Sequence, residues 1–258
     1  MYRNDIVKDI TVSESGNMAR YHYAEKGEKT FTIMQGSAEA VLNGKKFTLT
    51  EGDILNAEAW QPYSISLLSD DTVVREISAC CGLGPERVLP DPAALADVDK
   101  ACVNEVAAKG KGIYEFCAKG IRLILKVGRW QLGGSKEIWE CCIDKGYRAA
   151  FGGGPDREGL YMVRSGSFRV EADGEEFIAG GGEDGLVRIP AGAAFAFTAL
   201  EDDCVIQAFN VSCHLFRLLE MTEAARDYFP EKLDEQDYID YLFEANKLTA
   251  FESFELVE

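Results

Sequence analysis

The sequence predicts a mainly β protein: two copies of one antiparallel β unit, joined by a linking helix and followed by a helical tail. Three observations lead there. The first is an internal repeat. Residues 31–47, FTIMQGSAEAVLNGKKF, match residues 161–177, YMVRSGSFRVEADGEEF, at a constant offset of 130 positions. Gly36-Ser37 falls on Gly166-Ser167, Asn43-Gly44 on Asp173-Gly174, and Phe47 on Phe177. Asn-Gly and Asp-Gly suit the central positions of a type I′ hairpin turn, both of which need φ > 0. The second is a run of short alternating segments between turn signals, the pattern of a sandwich or barrel. The third is a switch to helical periodicity between the copies and again after the second.

In chain order, the stretches around Ile10-Thr-Val and Ala19-Arg-Tyr-His-Tyr alternate as opening strands do. The first hairpin follows, then a turn at Glu51-Gly52 and alternating segments at 63–68 and 72–78. The pattern breaks at 82–92. Asp91 has the chemistry of an N-cap, Pro92 that of a first helical residue and Gly110 that of a C-terminal stop. Leu95, Val98, Cys102 and Val106 recur at helical spacing between them, so a helix is expected over 92–109. A second short element is expected at 113–118. The strands of the second unit are expected at 122–127, 137–143, 147–151, the hairpin, 186–189, 195–199 and 204–210. The glycine-rich loop 180–185 contains a two-residue insertion, after which the offset is 132. From residue 215 the apolar positions Leu215, Leu218, Leu219 and Met221 turn helical. A second tail helix is expected at 237–246, with Tyr238, Ile239, Tyr241, Leu242 and Phe243 as its apolar residues. The expected domains are 1–88, a linker with helix at 89–120, 121–213, and an acidic helical tail at 214–258.

Composition narrows the function classes. The 258 residues are 47% hydrophobic, enough for a large core, and the net charge is −17. A chain this acidic, with scattered Lys and Arg, repels a phosphate backbone, so neither nucleic acid nor an anionic membrane is expected as a partner. No apolar run approaches the roughly 20 residues of a membrane span. Charges in MYRNDIVKDI stand where a signal peptide has its apolar stretch, so a cytoplasmic location is expected. Eight cysteines, with Cys80-Cys81 and Cys141-Cys142 adjacent and no C-x-x-C, read as reduced and mostly buried thiols. From Leu215 onward there are four basic and twelve acidic residues, which is not the charge of a DNA-reading helix pair. The aromatic side of this tail is expected to pack on a β unit or on a second copy of the chain, so a homodimer is among the expected partners.

The repeated glycine frame resembles the cupin family, the small double-stranded β-helix or jelly-roll barrels of the RmlC type. The family's first motif is G-x5-H-x-H-x4-E-x6-G. Gly16, His22, Ala24, Lys29 and Gly36 follow that spacing, as do Gly146, Gly152, Gly154, Gly159 and Gly166 in the second copy. The second motif, G-x5-P-x-G-x2-H-x3-N, falls on Gly52, Glu58, Trp60, Tyr63 and Leu67, and on Asp184, Pro190, Gly192, Phe195 and Ala199. The resemblance spans most of residues 10–80 and 140–210 and implies a bicupin.

In that family three histidines and a glutamate converge on a metal inside the barrel. Here the first copy keeps only His22, the other places holding Ala24, Lys29 and Tyr63. The second copy has Gly152, Gly154, Gly159 and Phe195. With two histidines in the chain, a three-histidine site is impossible. The resemblance therefore implies degenerate metal motifs, and no cofactor is expected. The alternative is one divalent transition metal near His22, with Tyr63 and Glu25 or Glu28 as further ligands. Lys29 argues against it, because its ammonium would sit where the cation belongs.

His22, Lys29, Trp60 and Tyr63 are the candidate ligand-binding residues of the first barrel. They combine an acid/base group, a cation, an aromatic face and a phenol, which suits a sugar, a sugar acid or a small carboxylate. The plainer alternative puts Lys29 outside beside Glu28, with His22, Trp60 and Tyr63 as structural residues. In the second copy, the loop 151–159 is expected to be a permissive turn, its alternative being a lid with Arg157 or Glu158 as polar contacts. The second cavity is expected to be apolar around Tyr161, Phe195 and Phe197. Three functions stay open: a small-molecule binding or regulatory protein, a metal-independent isomerase, epimerase or lyase with His22 and Tyr63 as catalytic base and acid, and a structural scaffold for oligomerisation.

Overall fold

The computed structural model describes residues 6–10, 22–24, 28–78, 86–88, 106–128, 137–152, 159–181, 185–210 and 214–246. These divide into two compact units, one up to residue 111 and the other from 112 onward. The described residues are predominantly β, with helix confined to the C-terminal stretch.

The first unit contains β1 (Ile6–Ile10), β2 (His22–Ala24), β3 (Lys29–Gln35), β4 (Ser37–Leu42), β5 (Lys45–Thr50), β6 (Ile54–Ala57), β7 (Tyr63–Leu67), β8 (Val73–Ser78) and β9 (Glu86–Val88). They form two antiparallel sheets, ordered β1-β8-β3-β6 and β5-β4-β7-β2-β9. Phe31, Ile33, Leu55, Ala57 and Val74 from one sheet meet Ala38, Ala40, Leu42, Leu49, Tyr63 and Ile65 from the other in one core. The apolar residues alternate along each strand because successive side chains point to opposite faces.

The second unit contains β10 (Tyr114–Ala118), β11 (Ile121–Val127), β12 (Glu137–Ile143), β13 (Arg148–Gly152), β14 (Gly159–Ser165), β15 (Ser167–Ala172), β16 (Glu175–Gly180), β17 (Leu186–Ile189), β18 (Ala194–Ala199) and β19 (Cys204–Asn210). Its sheets are ordered β10-β11-β12-β19-β14-β17 and β13-β18-β15-β16. The run β12-β19-β14-β17 repeats β1-β8-β3-β6, and β16-β15-β18-β13 repeats β5-β4-β7-β2. The repeat extends to irregularities. The pairing of β3 with β8 slips between Ile33 and Gln35, and that of β14 with β19 slips at the equivalent Val163 and Ser165.

Both hairpin turns have the expected hand. Asn43 and Gly44 have φ of 48° and 76°, and Asp173 and Gly174 have 51° and 84°. Gly36 and Gly166 are also left-handed, at 74° and 73°. A side chain at Gly36 would strike Thr72, and one at Gly166 would strike Cys204, which is the residue equivalent to Thr72. Thr72 Oγ1 accepts the Ser37 N–H at 3.2 Å and donates to the Ser37 carbonyl at 2.9 Å. Cys204 Sγ donates to the Ser167 carbonyl at 3.4 Å. One clasp is thus made twice, with a hydroxyl in one copy and a thiol in the other. Of the other described thiols, Cys141 is buried, Cys142 is half-buried and Cys117 is exposed.

One expectation needs correction, and another gains its type. The helix expected over 92–109 falls mostly outside the described residues, but its last four positions are described and are not helical: Ala107 forms a β-bridge with Ile54, and Lys109 enters a turn. Ala107 exchanges two backbone hydrogen bonds with Ile54, of 3.0 and 3.1 Å, and the Lys109 N–H donates to Asp53 Oδ1 at 2.9 Å. The edge of β6 satisfies backbone groups that a helix would have paired internally. The element expected at 113–118 is the strand β10, which extends the six-stranded sheet by pairing with β11.

The tail forms a helix, His214–Tyr228, a 3₁₀ turn, Pro230–Asp234, and a second helix, Gln236–Ala245. It packs against the second unit. Leu219 joins that unit's core, and Phe216 meets Tyr114 edge-on at 5.4 Å. The two helices bury Leu218, Leu242 and Phe243 together.

Candidate functional site

The first unit's core is interrupted by a polar cluster on its two facing sheets. On one sheet, Lys29 and Phe31 of β3 point inward, opposite Ser78 and Glu76 of β8. Alternation therefore sets Lys29 diagonal to Glu76, within reach of a long side chain. Lys29 Nζ lies 2.8 Å from Glu76 Oε1, with side-chain exposures of 7% and 12%. Ser78 Oγ donates to the same carboxylate oxygen at 2.7 Å. The other sheet contributes His22 of β2 and Tyr63 of β7, which are register partners. Their rings stack with centroids 6.1 Å apart. Tyr63 also touches Phe31, at 5.0 Å between centroids, and Lys29 Nζ stands 5.9 Å from the centre of its ring.

Three of the four expected ligand-binding residues therefore meet. His22, Lys29 and Tyr63 are all buried, and Lys29 faces inward toward Glu76 rather than outward beside Glu28. Trp60 is placed differently. It is 62% exposed, on the turn that leads into Tyr63. Its φ is +66°, and its counterpart Gly192 has +76°. Trp60 thus occupies a glycine's place in a glycine's conformation, which is costly for a residue with a bulky side chain. Glu76 and Ser78 were missed in the sequence. The signal was available: in Val73-Val-Arg-Glu-Ile-Ser78, Val74, Glu76 and Ser78 share the inward face of a strand.

The second unit answers each of these positions. Lys29 and Glu76 become Gly159 and Ala208 together, so the cation and its counter-ion are both absent. Phe31 becomes Tyr161 and Tyr63 becomes Phe195, which moves the hydroxyl across the ring pair. The rings stay in place, with Tyr161 and Phe195 at 5.0 Å. Phe197 completes an aromatic cluster, 5.2 Å from Tyr161 and 5.7 Å from Phe195. A Cβ at Gly159 would lie 2.7 Å from the Tyr161 ring, so that ring takes the space a side chain there would use. Burial pushes the Tyr161 phenol far above its usual range. Burial does the same to the Cys141 thiol, which argues for a structural rather than a reactive cysteine.

No protein-family model and no curated protein matches the chain. Solved structures do. The salicylate 1,2-dioxygenase of Pseudaminobacter salicylatoxidans superposes with a TM-score of 0.56 at 14% identity, over 80% of this chain and 69% of that one. A point mutant of Bacillus subtilis oxalate decarboxylase superposes with a TM-score of 0.53 at 12% identity, over 89% and 81%. The chain has the cupin fold. Each of its two units has that fold, with His22 the only residue of the family's ligand kind at the four ligand places of the first unit and none at those of the second.

The residues present do not fit the metal that the cupin resemblance implies. At the glutamate's place stands Lys29, whose ammonium already occupies the charge of the Glu76 carboxylate at 2.8 Å. A divalent cation there would meet a positive charge in a poorly screened interior. No group of three or more His, Cys, Asp or Glu able to hold a metal occurs among the described residues.

Proposed function

We propose that the first barrel binds a small, neutral, hydroxyl-rich molecule of the sugar class, without a metal, and that the second barrel is structural. The observation that carries this reading is the Lys29–Glu76 pair. Removing two charges from water costs several kcal/mol per ion, which the pair's attraction offsets only in part. The second barrel has the same frame with Gly159 and Ala208, so the fold does not need the pair. An ion pair kept inside a barrel that can do without it points to use by a ligand. Its charge is balanced, which favours a neutral polyol over a free carboxylate. Glu76 accepts from ligand hydroxyls, Lys29 donates, and Tyr63 and His22 supply a ring face, a phenol and an imidazole. Trp60 is the further aromatic contact on the turn beside them.

A thermal-shift screen of sugars, sugar acids and organic acids tests this. A sugar at a hundred times its Kd is expected to add about 2.7 kcal/mol of stability. Lys29→Met and Glu76→Gln are expected to abolish that shift, and Phe197→Leu in the second barrel to leave it. If no sugar stabilises the protein, or if the first-barrel variants keep the shift, the reading is wrong.

The stacked placement of His22 and Tyr63 favours a second reading, a metal-independent isomerase or epimerase in which they act as base and acid. Exchange of a ligand carbon-bound hydrogen with deuterium from solvent, lost in His22→Gln and Tyr63→Phe, separates catalysis from binding alone.

A further inference from the structure

Among the described residues, each barrel ends in an open sheet edge, and the two edges are opposite in charge. In the first unit β5 is the terminal strand of its sheet, and in the second unit the equivalent β16 is terminal. At matching positions β5 has Lys45 and Lys46, and β16 has Glu175 and Glu176, all exposed. The reversal continues onto the neighbouring strand. Lys46 pairs with Glu39 of β4 at 2.8 Å, while Glu176 pairs with Arg169 of β15 at 3.3 Å, the same cross-strand pair with its signs exchanged. Apolar surface lies on the acidic edge, where Phe177 and Ile178 are 42% and 60% exposed. On the basic edge, Phe47 lies beneath Lys45, whose Nζ is 5.2 Å from the ring centre.

We propose that β5 of one chain pairs edge-to-edge with β16 of a second copy of the same chain. An exposed strand edge with unpaired backbone groups and apolar side chains is a template for another strand. Lysine on both sides would oppose β5 with β5, and glutamate on both sides would oppose β16 with β16. Only the unlike pairing brings opposite charges together. Setting Phe47 beside Phe177 places Lys46 next to Glu176 if the strands run parallel and diagonal to it if they run antiparallel. Both separations are within reach of these side chains. The contact covers Phe177 and Ile178 and joins two sheets into one. It is heterologous, so two chains that make it twice close a dimer, and chains that make it once each grow further.

Sedimentation velocity of the full chain at about 100 μM, where a contact of about 10 μM Kd is mostly formed, tests the pairing. The wild-type chain is expected to be associated. Lys45→Glu with Lys46→Glu, and separately Glu175→Lys with Glu176→Lys, are each expected to give monomer. Mixing these two variants, or combining all four substitutions in one chain, is expected to restore association, which also shows that the variants fold. A monomeric wild-type chain, an associated species that survives both reversals, or a failure of the exchange to restore it would each overturn the proposal.

Discussion

Lys29 and Glu76 show how much a single pair can decide. Because each is the other's counter-charge, removing one leaves the other buried and uncompensated. Glu76→Ala is therefore expected to cost about 3 kcal/mol in urea unfolding, toward the lower end of the range for a broken buried pair. Lys29→Met with Glu76→Leu is expected to cost less than either single change, and a double-mutant cycle reads the difference. Trp60 makes the opposite prediction. Its left-handed backbone stores strain, so Trp60→Gly is expected to hold or raise stability by up to about 1 kcal/mol. The same change is expected to weaken sugar-induced stabilisation. The positions of His22, Lys29, Trp60 and Tyr63 were legible in motif spacing, but not that the first, second and fourth meet while Trp60 stands outside. That Glu76 faces inward was legible in the alternation of Val73–Ser78, but its partner was not, because spacing within one motif says nothing about which residue of a distant strand lies diagonal to it.

At the scale of elements, the hairpin and its clasp define the unit. Gly174 has φ of +84°, and a Cβ added there would meet nothing within 4 Å, so Gly174→Ala isolates the backbone cost. A loss of about 1 kcal/mol is expected, read as a fall in the urea midpoint with an unchanged slope. Gly36 differs, because an added Cβ would also sit 2.6 Å from Thr72 Oγ1. Gly36→Ala is expected to cost clearly more than Gly174→Ala. The strands were legible because alternation and turn chemistry are local. The expected helix near 106–109 was not borne out there, because backbone groups at Ala107 and Lys109 find partners on and beside β6, a contact that no local propensity encodes.

For the whole molecule, the interior of the second unit predicts a response to alkaline pH. Burial raises the Tyr161 phenol and the Cys141 thiol in the folded state above their usual values of 10.0 and 9.0. Folding thus favours their protonated forms. Their contribution is complete below about pH 9 and is lost as pH rises and the unfolded chain releases those protons. Melting temperature is expected to fall above that point, and Tyr161→Phe is expected to flatten the fall above about pH 10, where the unfolded phenol ionises. A curve of the same slope in Tyr161→Phe would mean that other groups dominate alkaline unfolding.

The sequence by itself determined that there are two β units, where their turns lie, and that of the metal-ligand places of the two cupin frames only that of His22 holds a residue of the family's kind. All of these are carried by residue identity at fixed spacing. Only the tertiary structure decided that Lys29 turns inward, that Glu76 and Ser78 complete its surroundings, that Trp60 stands in a glycine's conformation, and that Tyr161 fills the space beside Gly159. Those facts depend on which strands become neighbours and in what register. Pairing between strands some 47 residues apart, as between Lys29 and Glu76, is fixed by the packing of a whole sheet rather than by any stretch of chain.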